Sequence, residues 1–137
     1  MGGSFGDAVG LEREKAHKPA GLRTHMLVSL GSCLFMIVSL GFSVDPARIA
    51  AGVVAGVGFI GAGTVIAERN KIVEITTAAS LWVTSAIGLA TGAGNYILAV
   101  IASSLALLIL FSRIIFKKSI RIKAEEKCSY HEVTHRI

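Results

Sequence analysis

The sequence is short of charge, proline and cysteine, and each shortage excludes something. Charged residues are only 17% of its 137 positions, against roughly 25% in a soluble domain. Such a chain cannot cover a water-facing surface of ordinary polarity. Two prolines leave few helix breakers. The two cysteines, Cys33 in an apolar run and Cys128 near the end, make neither a disulfide framework nor a CxxC metal pattern. His131 and His135, spaced i, i+4 close to Cys128, read as a solvated terminus before they read as a metal patch. No nucleophile–base pairing stands out, and His17 and His25 have no orienting acid in sequence. No catalytic residue, cofactor or enzyme activity is expected. The net charge of +5 comes without interleaved aromatics, because the stretch after Ser119 offers only Tyr130. Nucleic acid is therefore not an expected partner.

What remains is apolar. Hydrophobic residues make up 53% and the mean hydropathy is +0.66. Four runs stand out, over residues 24–44, 47–67, 75–93 and 96–116. About 20 residues at 1.5 Å rise give the ~30 Å of a hydrocarbon core. Short connections between them imply antiparallel neighbours. The expected fold is an all-α membrane protein, a bundle of about four transmembrane helices with a short N-terminal helical stub. Residues 1–23 form the stub and a loop, 24–116 the transmembrane domain and 117–137 a basic tail.

Within the second run, Gly56-Val-Gly58-Phe-Ile-Gly61 matches the dinucleotide fingerprint GxGxxG. That motif needs a preceding strand, a polar turn and an acid about 20 residues on. Here Ile, Val, Phe and Ala flank the glycines, and Glu68 arrives far too soon. On a helix, Gly52, Gly56 and Gly63 fall on one face at spacings of four and seven. Gly52–Gly56 and Gly88–Gly92 are GxxxG pairs of the kind that lets backbones approach in membranes. Gly52, Gly56, Gly58, Gly61, Gly63, Gly88 and Gly92 are therefore assigned to helix packing, inside the bundle or in a homo-oligomer.

Charge gives an orientation. Arg13, Lys15, Lys18 and Arg23 precede the first span, Arg69 and Lys71 lie in the second connection, and Lys117, Lys118, Arg121, Lys123 and Lys127 follow the last. The other connections hold only Arg48 with Asp45, then no charge at all. Basic loops are cytoplasmic, so both ends and the loop from Glu68 to Glu74 are expected there. The basic tail rests against anionic headgroups of the lipid bilayer.

Several blocks, in order, carry a family resemblance: Gly10-Leu-Glu-Arg-Glu14, Ala20-Gly-Leu-Arg-Thr-His25, Asp45-Pro-Ala-Arg-Ile-Ala-Ala51, Gly56 to Gly63, Thr76-Thr-Ala-Ala-Ser-Leu-Trp82, Ala86 to Ala90 and Gly92-Ala-Gly-Asn-Tyr96. Together they resemble the MgtC/SapB family of bacterial inner-membrane proteins, in its N-terminal transmembrane domain and its short members. One polar position of the Thr76 block is Thr or Asn in that family, and Thr76 stands on the Thr side. The resemblance implies a multi-pass inner-membrane protein connected with growth at low magnesium and survival under host or acid stress. Two departures accompany it. Only Met1 to Leu11 precede the Gly10 block, about 16 Å as helix and too short to span. The stub, which also carries Asp7, marks a truncated or misassigned start or lies at the interface. The 21 residues after Phe116 cannot supply the soluble ACT-like domain of some relatives.

Such proteins are often labelled magnesium transport components. Apart from Arg48 and Arg113 near their ends, the four runs hold hydroxyls and glycines but no Asp, Glu, Lys or Arg of the kind an ion path requires, and Mg²⁺ prefers carboxylate oxygens. Two functions follow: a non-enzymatic modulator that contacts another membrane protein, or a transporter or channel subunit for Mg²⁺ or another cation. Candidate functional groups collect at the expected cytoplasmic face. They are Glu12, Arg13 and Glu14 from the stub, Arg23, Thr24 and His25 from the first span, and Thr76, Thr77 and Trp82 from the third. The competing account makes the charges topology anchors, with Trp82 packed between helices. Metal ligands are not assignable from the sequence.

Overall fold

A computed structural model of the chain describes residues 2–42, 45–68 and 71–112. The expected tail, with Cys128, His131 and His135, lies outside the described residues. Five helices account for most of the rest: α1 (Gly2–Lys15), α2 (Leu22–Gly41), α3 (Pro46–Thr64), α4 (Ile75–Gly92) and α5 (Tyr96–Ser112). By length and composition α2, α3 and α4 can each cross a membrane. α5 is apolar and helical as far as Ser112, and the end of the fourth expected span lies outside the described residues. The chain forms two compact units, Met1–Leu107 and Leu108–Ile137. In the second, the described residues 108–112 are helical.

Local chemistry sets the helix boundaries. Asp45 caps α3, its Oδ1 accepting the Ala47 amide at 3.0 Å, and Pro46 fills the first turn where no amide partner is needed. α4 ends where the Asn95 amide reaches back to the Ala90 carbonyl at 2.9 Å and the Gly94 amide to Thr91 at 3.0 Å. Gly94 supplies the left-handed conformation this closure demands, with φ of 77°. Asn95 then starts α5, its Oδ1 accepting the Leu98 amide.

Two elements differ from expectation. α3 stops at Thr64, three residues early, and β1 (Ile66–Glu68) pairs antiparallel with β2 (Lys71–Val73), Ile66 opposite Val73. Ile72 and Val73 in β2, and Ile66 in β1, are β-branched and favour an extended backbone. The N-terminal stub, expected to end with Glu14, is a helix that runs to Lys15; what differs is its place. α1 packs against α2 and α4. Its Gly6 abuts Ser29 and the methyl of Thr84, which stands midway along α4, and Gly10 abuts Leu22 and His25. α1 therefore occupies the bundle rather than its rim.

The contact between α2 and α4 is the closest in the bundle. A Cβ on Gly88 would collide with the Ser29 carbonyl, and one on Gly92 with the Cys33 carbonyl. α3 is attached more lightly, through Val57 against Leu81 and Ala20, and through Gly61 facing Ala78. Gly52, Gly56, Gly58 and Gly63 have no atom within 4 Å of where a Cβ would stand. Within the chain, those four glycines do not serve helix packing as expected. α3 meets α4 along the edge holding Val57 and Gly61, which turns the others away.

Candidate functional site

A seam of polar side chains runs along the α1–α2–α4 contact. α4 contributes buried Thr77, Ser80, Thr84, Ser85 and Thr91, and α2 contributes His25, Ser29, Ser32 and Ser39. Several hydroxyls are satisfied by their own helix. Ser80 donates to Thr77 O, Thr84 to Ser80 O, Thr91 to Ile87 O and Ser39 to Met36 O, at 2.8–2.9 Å. This back-bonding lets a hydroxyl sit in an apolar interior without a second helix to receive it.

His25 has no solvent exposure and joins two helices. Its Nδ1 lies 2.9 Å from the Gly21 carbonyl and its Nε2 3.1 Å from Ser80 Oγ. A carbonyl only accepts, so Nδ1 carries the hydrogen. When Nε2 is also protonated it donates to Ser80, whose own proton goes to Thr77 O. When Nε2 is bare it accepts that proton instead, and the Thr77 carbonyl gives it up. The Ser80 hydroxyl direction therefore reports the protonation of His25.

The same end of the bundle is tied by charge. Glu14 Oε2 accepts the Leu22 amide at 2.8 Å, so α1 caps the start of α2 where Gly21 has no side chain to do so. Arg13 is buried and its Nε donates to Glu12. Lys18 Nζ meets Glu74 Oε1 at 2.8 Å, and Thr77 Oγ1 donates to Glu74 Oε2 at 2.6 Å. Glu74 sits in the left-handed region with φ of 67°. A non-glycine residue holds that conformation where its surroundings over-determine it, and here both carboxylate oxygens are engaged. Asp7 Oδ1 and Arg13 Nη1 are buried without a hydrogen-bond partner among the described residues. Both belong to α1, outside the four apolar runs, so α1 sets ionisable groups against α2 and α4 that the runs themselves do not supply.

Of the residues assigned to the site, Glu12, Arg13, Glu14, His25 and Thr77 do meet. Arg23 and Thr76 are exposed and Thr24 is only partly buried, so these three stand apart. Trp82 is 51% exposed, which removes it from the cluster and from packing between helices. Lys18, Glu74, Ser80 and Asp7 were missed. Ser80 could have been found, since Thr77, Ser80, Thr84 and Thr91 recur at spacings of three, four and seven along one helical face. Lys18 and Glu74 belong to separate connections, and only the fold makes them neighbours. Among the described residues, no three His, Cys, Asp or Glu side chains gather as a metal site.

These features define a class, a helical membrane protein with a buried polar seam and an ion-paired end. The chain belongs to the MgtC family, whose model matches residues 1–118. It is 51% identical over 113 residues to the Escherichia coli (strain K12) protein YhiD, whose name carries a provisional magnesium-transporter label; 75% of this chain and 53% of that protein are covered. It is 41% identical over 103 residues to protein SapB of Bacillus subtilis, covering 67% and 44%. It is 42% identical over 98 residues to protein MgtC of Brucella abortus, covering 69% and 41%. The chain thus spans about half the length of these relatives. No solved structure matches it.

Proposed function

We propose that this is a multi-pass protein of the bacterial inner membrane that serves magnesium homeostasis and stress survival. It acts without enzymatic chemistry, by contacting another membrane protein. The observation that carries this reading is the outer face of α3. Ala51, Ala55, Gly58 and Ala62 recur there at helical spacing and all are exposed, with Phe59 beside them at 84% exposure. Small residues let a second membrane helix approach closely, and one large aromatic gives it something to grip. The name of the Escherichia coli relative YhiD supports the link to magnesium. The Lys and Arg distribution supports a cytoplasmic Lys18–Glu74 face.

A photo-crosslinking residue at Phe59, in cells growing at low magnesium, tests the contact. The expected result is an adduct to a distinct membrane protein, with Ala55→Leu abolishing both adduct and growth. Adducts to lipid alone, with growth intact in Ala55→Leu, would sink the proposal.

One observation favours a second reading, a Mg²⁺ or other cation transporter subunit. Asp7 follows Gly6, which abuts the middle of α4, and acids at that depth are costly and usually functional. Liposomes enclosing a magnesium-sensitive dye separate the two. Saturable entry lost in Asp7→Asn supports transport, whereas verified protein that moves no Mg²⁺ leaves the modulator. Gly56→Leu is no test of conduction, because Gly56 faces away from the seam.

A further inference from the structure

Between α2 and α3 the bundle is open. The two helices are joined at one edge and diverge to leave a groove of about 620 Å³, lined by Val28, Phe35, Ile49, Val53 and Ile60 among others. Gly31, Gly52 and Gly56 line it too, and none has an atom within 4 Å of its absent Cβ. The one charged residue in the lining is Arg48, in the first turn of α3. Its guanidinium forms no ion pair or hydrogen bond among the described residues, while nearby Asp45 Oδ1 is turned to the Ala47 amide.

We propose that this groove binds one anionic phospholipid, with its phosphate on Arg48 and an acyl chain along α3. Dimensions select the occupant. From Arg48 to Ile60 the lining covers about 18 Å along the helix axis, slightly more than the ~15 Å depth of one leaflet's hydrocarbon. Over that length the lining is apolar except for Ser32 and, at one end, Arg48, the pattern of one acyl chain lying beneath one charged headgroup. Arg48 lies at the helix end, where an interfacial headgroup stands, and supplies the charge to select it.

Native mass spectrometry of the detergent-solubilised protein tests this, with phosphatidylglycerol and phosphatidylcholine of identical acyl chains as probes. Wild type is expected to retain one phosphatidylglycerol in preference to phosphatidylcholine. Arg48→Gln should reduce phosphatidylglycerol retention about fivefold and abolish the preference. Gly56→Leu should fill the groove and lose both lipids. Its Cβ has open space and its helix propensity exceeds that of glycine, so its thermal stability should not fall below wild type, and Gly52→Leu serves as a second groove-filling variant. Equal retention of both lipids by wild type, or retention unchanged in both leucine variants, would overturn the proposal. So would a dimer that Gly56→Leu splits while lipid binding persists.

Discussion

α3 and α4 both carry glycine pairs at a spacing of four, yet the pairs meet opposite fates. Gly88 and Gly92 of α4 lie against the α2 backbone at Ser29 and Cys33, so close that a methyl group would not fit. Gly52 and Gly56 of α3 face an open groove. The facing surface explains the difference. Opposite Gly88 and Gly92, α2 presents Ser29, Ser32 and Cys33, with the Met36 Cβ beside Gly92, and both backbones close in. Gly52 and Gly56 share their groove with Leu27 and Phe35 of α2, large and exposed, and no atom of α2 comes within 4 Å of where their Cβ would stand. A GxxxG pair thus marks a smooth surface, and its partner decides whether the surface is used.

The largest expected effect lies at the closed end of the packed side. Glu12→Gln leaves the buried Arg13 guanidinium without its partner, and loss of one member of a buried pair costs about 3–5 kcal/mol. Denaturant unfolding in detergent micelles measures it; a loss under 1 kcal/mol would show that water reaches Arg13. The glycine contrast comes next. Gly88→Ala and Gly92→Ala should each destabilise by about 1–3 kcal/mol through overpacking, whereas Gly52→Ala and Gly56→Ala, with open space for the methyl, should stabilise by up to about 1 kcal/mol through helix propensity. Four equal losses would erase the distinction between the two helices. Ser80→Ala removes the oxygen that meets His25 Nε2 and should cost about 1 kcal/mol. Ser104→Ala, at an exposed hydroxyl on α5, serves as the reference and should cost less. Smallest is Lys18→Gln. The Lys18–Glu74 pair is partly solvated, at 18% and 17% exposure, so its loss should cost at most about 1 kcal/mol and shrink further in high salt.

Much of the scaffold was legible because its signals are local. Apolar runs of spanning length marked α2, α3 and α4, Asp45-Pro46 marked the start of α3, and Gly94-Asn95 closes one helix and opens the next with residues suited to both tasks. The ribbon was less legible. The Val65-Ile66 and Ile72-Val73 pairs are apolar like the spans beside them, and hydropathy alone does not separate strand from helix over three residues. α1 was misjudged for a different reason. Counted by length it is too short to span, but a short helix can lie inside a bundle once α2 and α4 supply its neighbours. Thr76 and Thr77 show the limit on the site itself. The two threonines are adjacent in sequence and chemically identical, and the 100° step of a helix exposes one and buries the other.

The sequence by itself determined that this protein belongs in a membrane, where its apolar helices lie along the chain, and which faces are small enough for close approach. Those properties follow from composition, spacing and capping chemistry within a few residues of each other. Only the tertiary structure decided which glycines are used, and that Lys18 meets Glu74 across 56 positions of chain. It also decided that His25 shares a hydrogen bond with Ser80, and that Arg48 stands alone at the mouth of an apolar groove. These depend on which helix faces which, and each such pairing is settled by the shape of both surfaces at once.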